Sequence, residues 1–227
     1  MANTLGNPTM GFQESGQVEG ASPTAGLTPV WIASSDTGLI FRGDPVVSSS
    51  SPGANNSGNY ITSLQTLSTM VGGSGFLARG IFQGVEQFIP SVGRVVWSNN
   101  FAGSLTGSTG DVKAWIKDNP DSLFVVQASS GPITSSMINL NIGVSSNSSL
   151  GNTNFGYSNM TVASSNVISA SSLPFRIVDF YSAYAPPAVP AIGTAAFING
   201  TDNTTAFNMV IVRLNNCDRL NLTARST

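Results

Sequence analysis

The chain has 227 residues, enough for one large domain or two small ones, and roughly 70% of its unfolded surface can be buried at that length. Only 9% of its residues are charged, against about 25% in an ordinary globular domain; histidine is absent and there is one cysteine. These numbers exclude Ser-His and Cys-His catalysis, an imidazole or multi-thiolate metal site, and an internal disulfide.

Net charge is −2, and the nine basic residues are scattered, so no electrostatic footprint for nucleic acid is expected. Ser, Thr, Asn and Gly fill roughly two-fifths of the chain. Low charge with 41% hydrophobic residues is not the signature of disorder, which needs low hydrophobicity and high charge. The chain reads as folded, and polar through hydroxyls and amides. The opening Met1–Pro8 lacks the basic and apolar regions of a secretory signal, and no apolar run nears the roughly 20 residues that span a bilayer. Synthesis in a cytosol, with release, if any, outside the Sec route and no membrane partner, is the expectation.

Residues 1–27 read as an extended N-terminal arm, rich in glycine and holding Leu5, Met10 and Phe12 as its apolar material. The arm is either a frayed terminus or a strap ordered on a neighbouring subunit. Residues 28–227 read as a single β-rich domain. Thr28–Ala33, Leu39–Arg42 and Val46–Val47 are short β-type runs, with Gly43-Asp44-Pro45 as punctuation. Residues 48–58 are a polar loop. Residues 60–70 are ambiguous between strand and helical turn. Phe76–Phe88 predicts a long strand bent at Gly80 and Gly84, where a bulge or a close backbone approach is expected. Val92–Trp97 is another strand, and residues 98–110 a loop.

Val112–Lys117 and Leu123–Gln127 flank Asp118-Asn119-Pro120-Asp121, which predicts a hairpin. A short helix is expected over 132–138 and a half-buried strand over Ile138–Ile142. A long polar loop over 145–159 and a short strand over 160–163 follow. The strand Phe175–Tyr181 puts Phe175, Ile177, Asp179 and Tyr181 on one face. Ala185–Pro190 is an extended connection, and Phe207–Leu214 is the closing strand. Many short strands without an amphipathic helix predict an all-β fold: an antiparallel β-sandwich or jelly-roll-like barrel with an extended N-terminal arm.

Chemistry is sparse. Asp118 and Asp121 lie in a turn where Asp is favoured for turn hydrogen bonds, so a glycosidase-type acid pair is disfavoured. Asp179 is expected to pair with Arg176 or Arg213. Cys217 has no histidine partner and reads as an inert or surface thiol. Gly72-Gly73-Ser74-Gly75 lacks the lysine of a phosphate loop. Trp31, Trp97 and Trp115 are sugar-stacking candidates, but each lies in an apolar run, so core packing is the favoured expectation. No catalytic, cofactor-binding or metal-binding residue is expected. A hydroxyl- and amide-rich surface suits an assembly subunit or an adhesin.

The order of the segments resembles a family of small structural proteins of tailed bacteriophages, similar to head decoration or cement proteins. The resemblance rests on Met1–Pro8 with Gly11-Phe12, on Ile40-Phe-Arg-Gly-Asp-Pro-Val-Val47, and on Phe76–Glu86. It continues through Ala114–Asp121 with Phe124–Gln127, Phe175–Phe180 and Val212-Arg-Leu-Asn-Asn216. Cys217 departs from the family's usual histidine after the paired asparagines.

The resemblance implies a virion structural protein on the outside of a capsid, bridging neighbouring major capsid proteins without a chemical step. It implies self-association, a dimer being favoured over a trimer. The arm and the proline-rich segment would be ordered on binding, with Leu5, Met10, Phe12, Pro186, Pro187 and Val189 as interface candidates. The alternative is a tail, head-fibre or carbohydrate-binding β-sandwich component of the virion.

Overall fold

The computed structural model describes residues 10–18, 26–49, 59–64, 75–91, 93–103, 110–129, 131–145, 151–181 and 203–220. The fold is all-β, with antiparallel sheets packed in a sandwich-like arrangement. No α-helix occurs among the described residues, and no helix there is long and apolar enough to cross a membrane.

One sheet has six strands in the order β1 (Gln13–Gln17), β10 (Ser122–Gln127), β14 (Met209–Leu214), β13 (Phe175–Phe180), β11 (Asn141–Val144) and β12 (Val162–Ile168). A second sheet runs β2 (Thr28–Ile32), β9 (Val112–Lys117), β6 (Gly80–Ile89), β4 (Pro45–Ser48), β5 (Ile61–Ser63), with β7 (Arg94–Ser98) pairing the far half of β6. Its two ends approach each other: Tyr60, just before β5, bridges Trp31 of β2, so this sheet curls toward a barrel. A ribbon of β3 (Leu39–Phe41) and β8 (Asn100–Ala102) completes the fold.

Two cores explain the patterning. The first lies between the six-stranded sheet, through Phe124, Val126, Phe175, Ile177, Val210 and Val212, and the outer side of the curled sheet, through Val47 and Ile81. The second lies inside the curled sheet, with Val30, Ile32, Phe82, Val85, Val112, Ala114 and Ile116 against Ile40 and Phe101 of the ribbon. Adjacent residues Val46 and Val47, and likewise Ile81 and Phe82, therefore enter different cores. A strand buried on both faces reads as a continuous apolar run rather than an alternation, as these two do.

Several expectations change. The hairpin over 112–127 does not form: β9 joins the curled sheet and β10 the six-stranded one, so Asp118–Asp121 carries the chain between sheets. The cause is the division of the apolar residues, with Val112, Ala114 and Ile116 in one core and Phe124 and Val126 in the other. The arm over 1–27 is in part a strand, because β1 pairs antiparallel with β10. Phe12 is fully buried and stacks on Phe175 with ring centroids 4.4 Å apart. It is an anchor in the first core, so as an interface residue it is corrected. Residues 1–9 and 19–25 lie outside the described residues, as do Leu5, Pro186, Pro187 and Val189.

In β13 a bulge between Ile177 and Asp179 shifts the register, so Phe180 packs on the core while Asp179 is exposed. Asp179 accepts a hydrogen bond from the Phe180 N–H and has neither arginine among its ion-pair partners. A 3-10 turn at Ser135–Met137 replaces the expected short helix. The predicted strand over 138–142 begins only at Asn141, because Asn139 adopts φ +68. Strand β8 falls inside the expected loop 98–110, and β12 runs on through Ser164-Ser165-Asn166.

Candidate functional site

The scarce charges are concentrated where strands meet. Asp118, at the crossing between sheets, is buried and accepts hydrogen bonds from Thr28 Oγ1 at 2.7 Å, Arg219 Nε at 3.0 Å and Arg79 Nη1 at 3.2 Å. Arg79 also reaches Asn59 Oδ1 at 3.2 Å and Asp218 at 3.7 Å, and Ser48 donates to Asp218 at 2.5 Å. The cluster ties the chain's closing segment to β2, β4 and the start of β6. Asp121 is exposed, so the two acids of the turn sit in unlike surroundings and do not form a facing pair. Lys117 is 1% exposed and pairs at 2.7 Å with Glu14, which links β9 of one sheet to β1 of the other. A buried ion pair of this kind adds little net stability, because its Coulomb attraction is offset by desolvation of both charges.

Asp44 is buried in the turn before β4. Its oxygens accept from the Phe41 N–H at 2.8 Å and from the Ser158 hydroxyl at 2.5 Å. Burial outweighs these donors and raises its pKa from 3.8 to about 7. Cys217 is buried, and burial pushes its thiol up from the ordinary range, as suits an inert thiol. Among the described residues no group of three or more Cys, Asp or Glu side chains gathers as metal ligands do.

The face with binding chemistry is the outer side of the curled sheet, beyond the part that the six-stranded sheet covers. Val112, Ala114 and Ile116 point into the second core, so Lys113 and Trp115 point out. The register carries this face across four strands: Trp31 opposes Lys113, Lys113 opposes Glu86, and Glu86 opposes Trp97. Phe88 and Val95 oppose each other two residues further on. All three tryptophans of the chain thus share one face of one sheet.

Their expected place in the core is corrected. Trp97 is 46% exposed and Trp31 and Trp115 are partly exposed. The signal was present in β9, where Trp115 is in phase with Lys113 and Lys117 and alternates with Val112, Ala114 and Ile116 of the core.

The arrangement is built rather than incidental. The expected bulge of β6 falls between Phe82 and Gly84, and a Cβ on Gly84 would stand 2.4 Å from the Trp97 ring. Gly84 therefore lets the indole lie against the backbone, with φ +153 as a further reason for glycine. Lys113 Nζ lies 4.5 Å from the centre of the Trp115 ring and 3.7 Å from Glu86. The Trp115 indole nitrogen is buried and has no hydrogen-bond partner.

No protein-family model, curated protein or solved structure gives a significant match to the chain.

Proposed function

We propose that the chain is a virion structural protein: a cement or decoration protein that binds the outside of a tailed-phage capsid and bridges neighbouring major capsid proteins. Its action is binding, with no reaction step, cofactor or metal. The observation that carries the reading on the structural side is the N-terminal segment. Met10 (48% exposed), Val18 and Leu27 offer apolar side chains to solvent on either side of β1. Phe12 in the core and the pairing of β1 with β10 hold that segment in place.

Exposed apolar side chains in a chain with 9% charge suit a surface that meets a partner without stripping water from many ions. The resemblance of the segment pattern, from Ile40–Val47 to Val212–Asn216, to head decoration proteins supports a capsid shell as that partner. Repeated attachment around a shell turns modest single contacts into lasting ones. Self-association as a dimer belongs to the same reading.

The test is sedimentation of the purified chain with expanded heads that lack it. Saturable binding is expected, weakened at least about tenfold by the pair Met10→Ser and Val18→Ser. Binding that the pair leaves unchanged would move the contact elsewhere. No binding to any such shell would end the proposal.

A further inference from the structure

We propose that the face formed by Trp31, Trp97 and Trp115 is a carbohydrate-binding site for a neutral oligosaccharide. The proposal goes beyond shell binding and does not depend on it.

The rings come first. Trp97 lies against Gly84 on one side and is open to solvent on the other, which is a stacking surface held in position before any ligand arrives. Trp31 stands three strands away in the same row, roughly 14 Å along the sheet at ordinary strand spacing. Trp115 lies diagonally from Trp31 across β2 and β9, roughly 7–8 Å away. The apolar face of a sugar ring stacks on an indole, and a short chain of sugars spans a row of this length.

Between the rings stands the Glu86–Lys113 pair, both members more than a third exposed. It offers a carboxylate acceptor and ammonium donors to sugar hydroxyls. Because the two charges balance, the face has no net charge to recruit a phosphate backbone or an anionic surface. The ligand that fits it is uncharged and polar.

The chain carries its own reporter. With three tryptophans in all, and all on this face, the whole indole emission reads this one surface. The probes are soluble linear hexasaccharides of glucose, mannose, galactose and N-acetylglucosamine, added up to about 10 mM. The expected result is a saturable change in emission with at least one of them. Calorimetry should give the same Kd, weakened at least about tenfold by Trp97→Ala and unchanged by Phe155→Ala. Phe155 is an exposed apolar residue outside this face. Thermal unfolding of each variant shows that it is folded.

No response to any of the four sugars overturns the proposal. So does sugar binding that Trp97→Ala leaves intact, or that Phe155→Ala weakens equally. Loss of shell binding or of self-association in Trp97→Ala, without any sugar response, would mark the face as a protein contact instead. Shell binding by the wild-type chain is scored separately, so the two proposals fail independently.

Discussion

Asp44 makes the stability of this protein fall as pH rises from mildly acidic to neutral. The carboxyl is buried against the backbone of Phe41 and the hydroxyl of Ser158, and its pKa is held at about 7 instead of 3.8. Between these two values the unfolded chain has lost the proton that the folded chain still holds. The folded state then binds more protons, so stability decreases with pH in this window. The contribution is fully present below about pH 4 and lost as pH passes through about 7.

The difference corresponds to about 4 kcal/mol at most, with a slope approaching 1.4 kcal/mol per pH unit. Asp44→Asn keeps an oxygen acceptor and removes the titration. Urea denaturation of both proteins from pH 4 to pH 8 isolates the effect, since other groups titrate alike in the two. The Asn variant should gain on the wild type by about 2–4 kcal/mol across that range. A difference that stays constant with pH, or that moves in favour of the wild type, refutes the reasoning.

Other consequences are equally open to measurement. Phe12→Ala removes a fully buried ring stacked on Phe175 and should cost about 3–5 kcal/mol in urea denaturation; a loss below about 1 kcal/mol would return Phe12 to a free arm. Glu14→Gln removes the carboxylate that lies 2.7 Å from the buried Lys117 ammonium and should destabilise the fold in urea denaturation, whereas replacing both partners by apolar residues should cost less. Gly84→Ala should displace the Trp97 indole and red-shift the tryptophan emission, since the added Cβ falls 2.4 Å from the ring. Trp115→Phe removes an indole N–H that has no partner, so it should change stability by less than about 1 kcal/mol.

Much of the fold was legible because its strands announce themselves. Val112–Lys117 alternates cleanly, Phe175–Phe180 and Met209–Leu214 are rich in β-branched and aromatic residues, and Gly84 marks its bulge. The partners of those strands were not legible. Asp118-Asn119-Pro120-Asp121 serves a crossing between sheets as well as a hairpin, and the choice is made by which core receives the flanking apolar residues.

The runs Val46-Val47 and Ile81-Phe82 reflect a sheet buried on both sides, which no single-face period describes. The tryptophan face was hidden for a related reason. Trp97 follows Val95 and Val96 and so looks like core, yet the six-stranded sheet stops short of that part of the surface. Lys117 was missed because its counter-ion, Glu14, lies more than a hundred residues away in the chain.

The proposed attachment of this chain to a capsid can be tested by counting copies. Quantitative mass spectrometry of purified particles should find the chain in a whole-number ratio to the major capsid protein, and particles stripped of it should take it back to the same ratio. Absence from the particles, or a few copies unrelated to the shell lattice, would contradict the account.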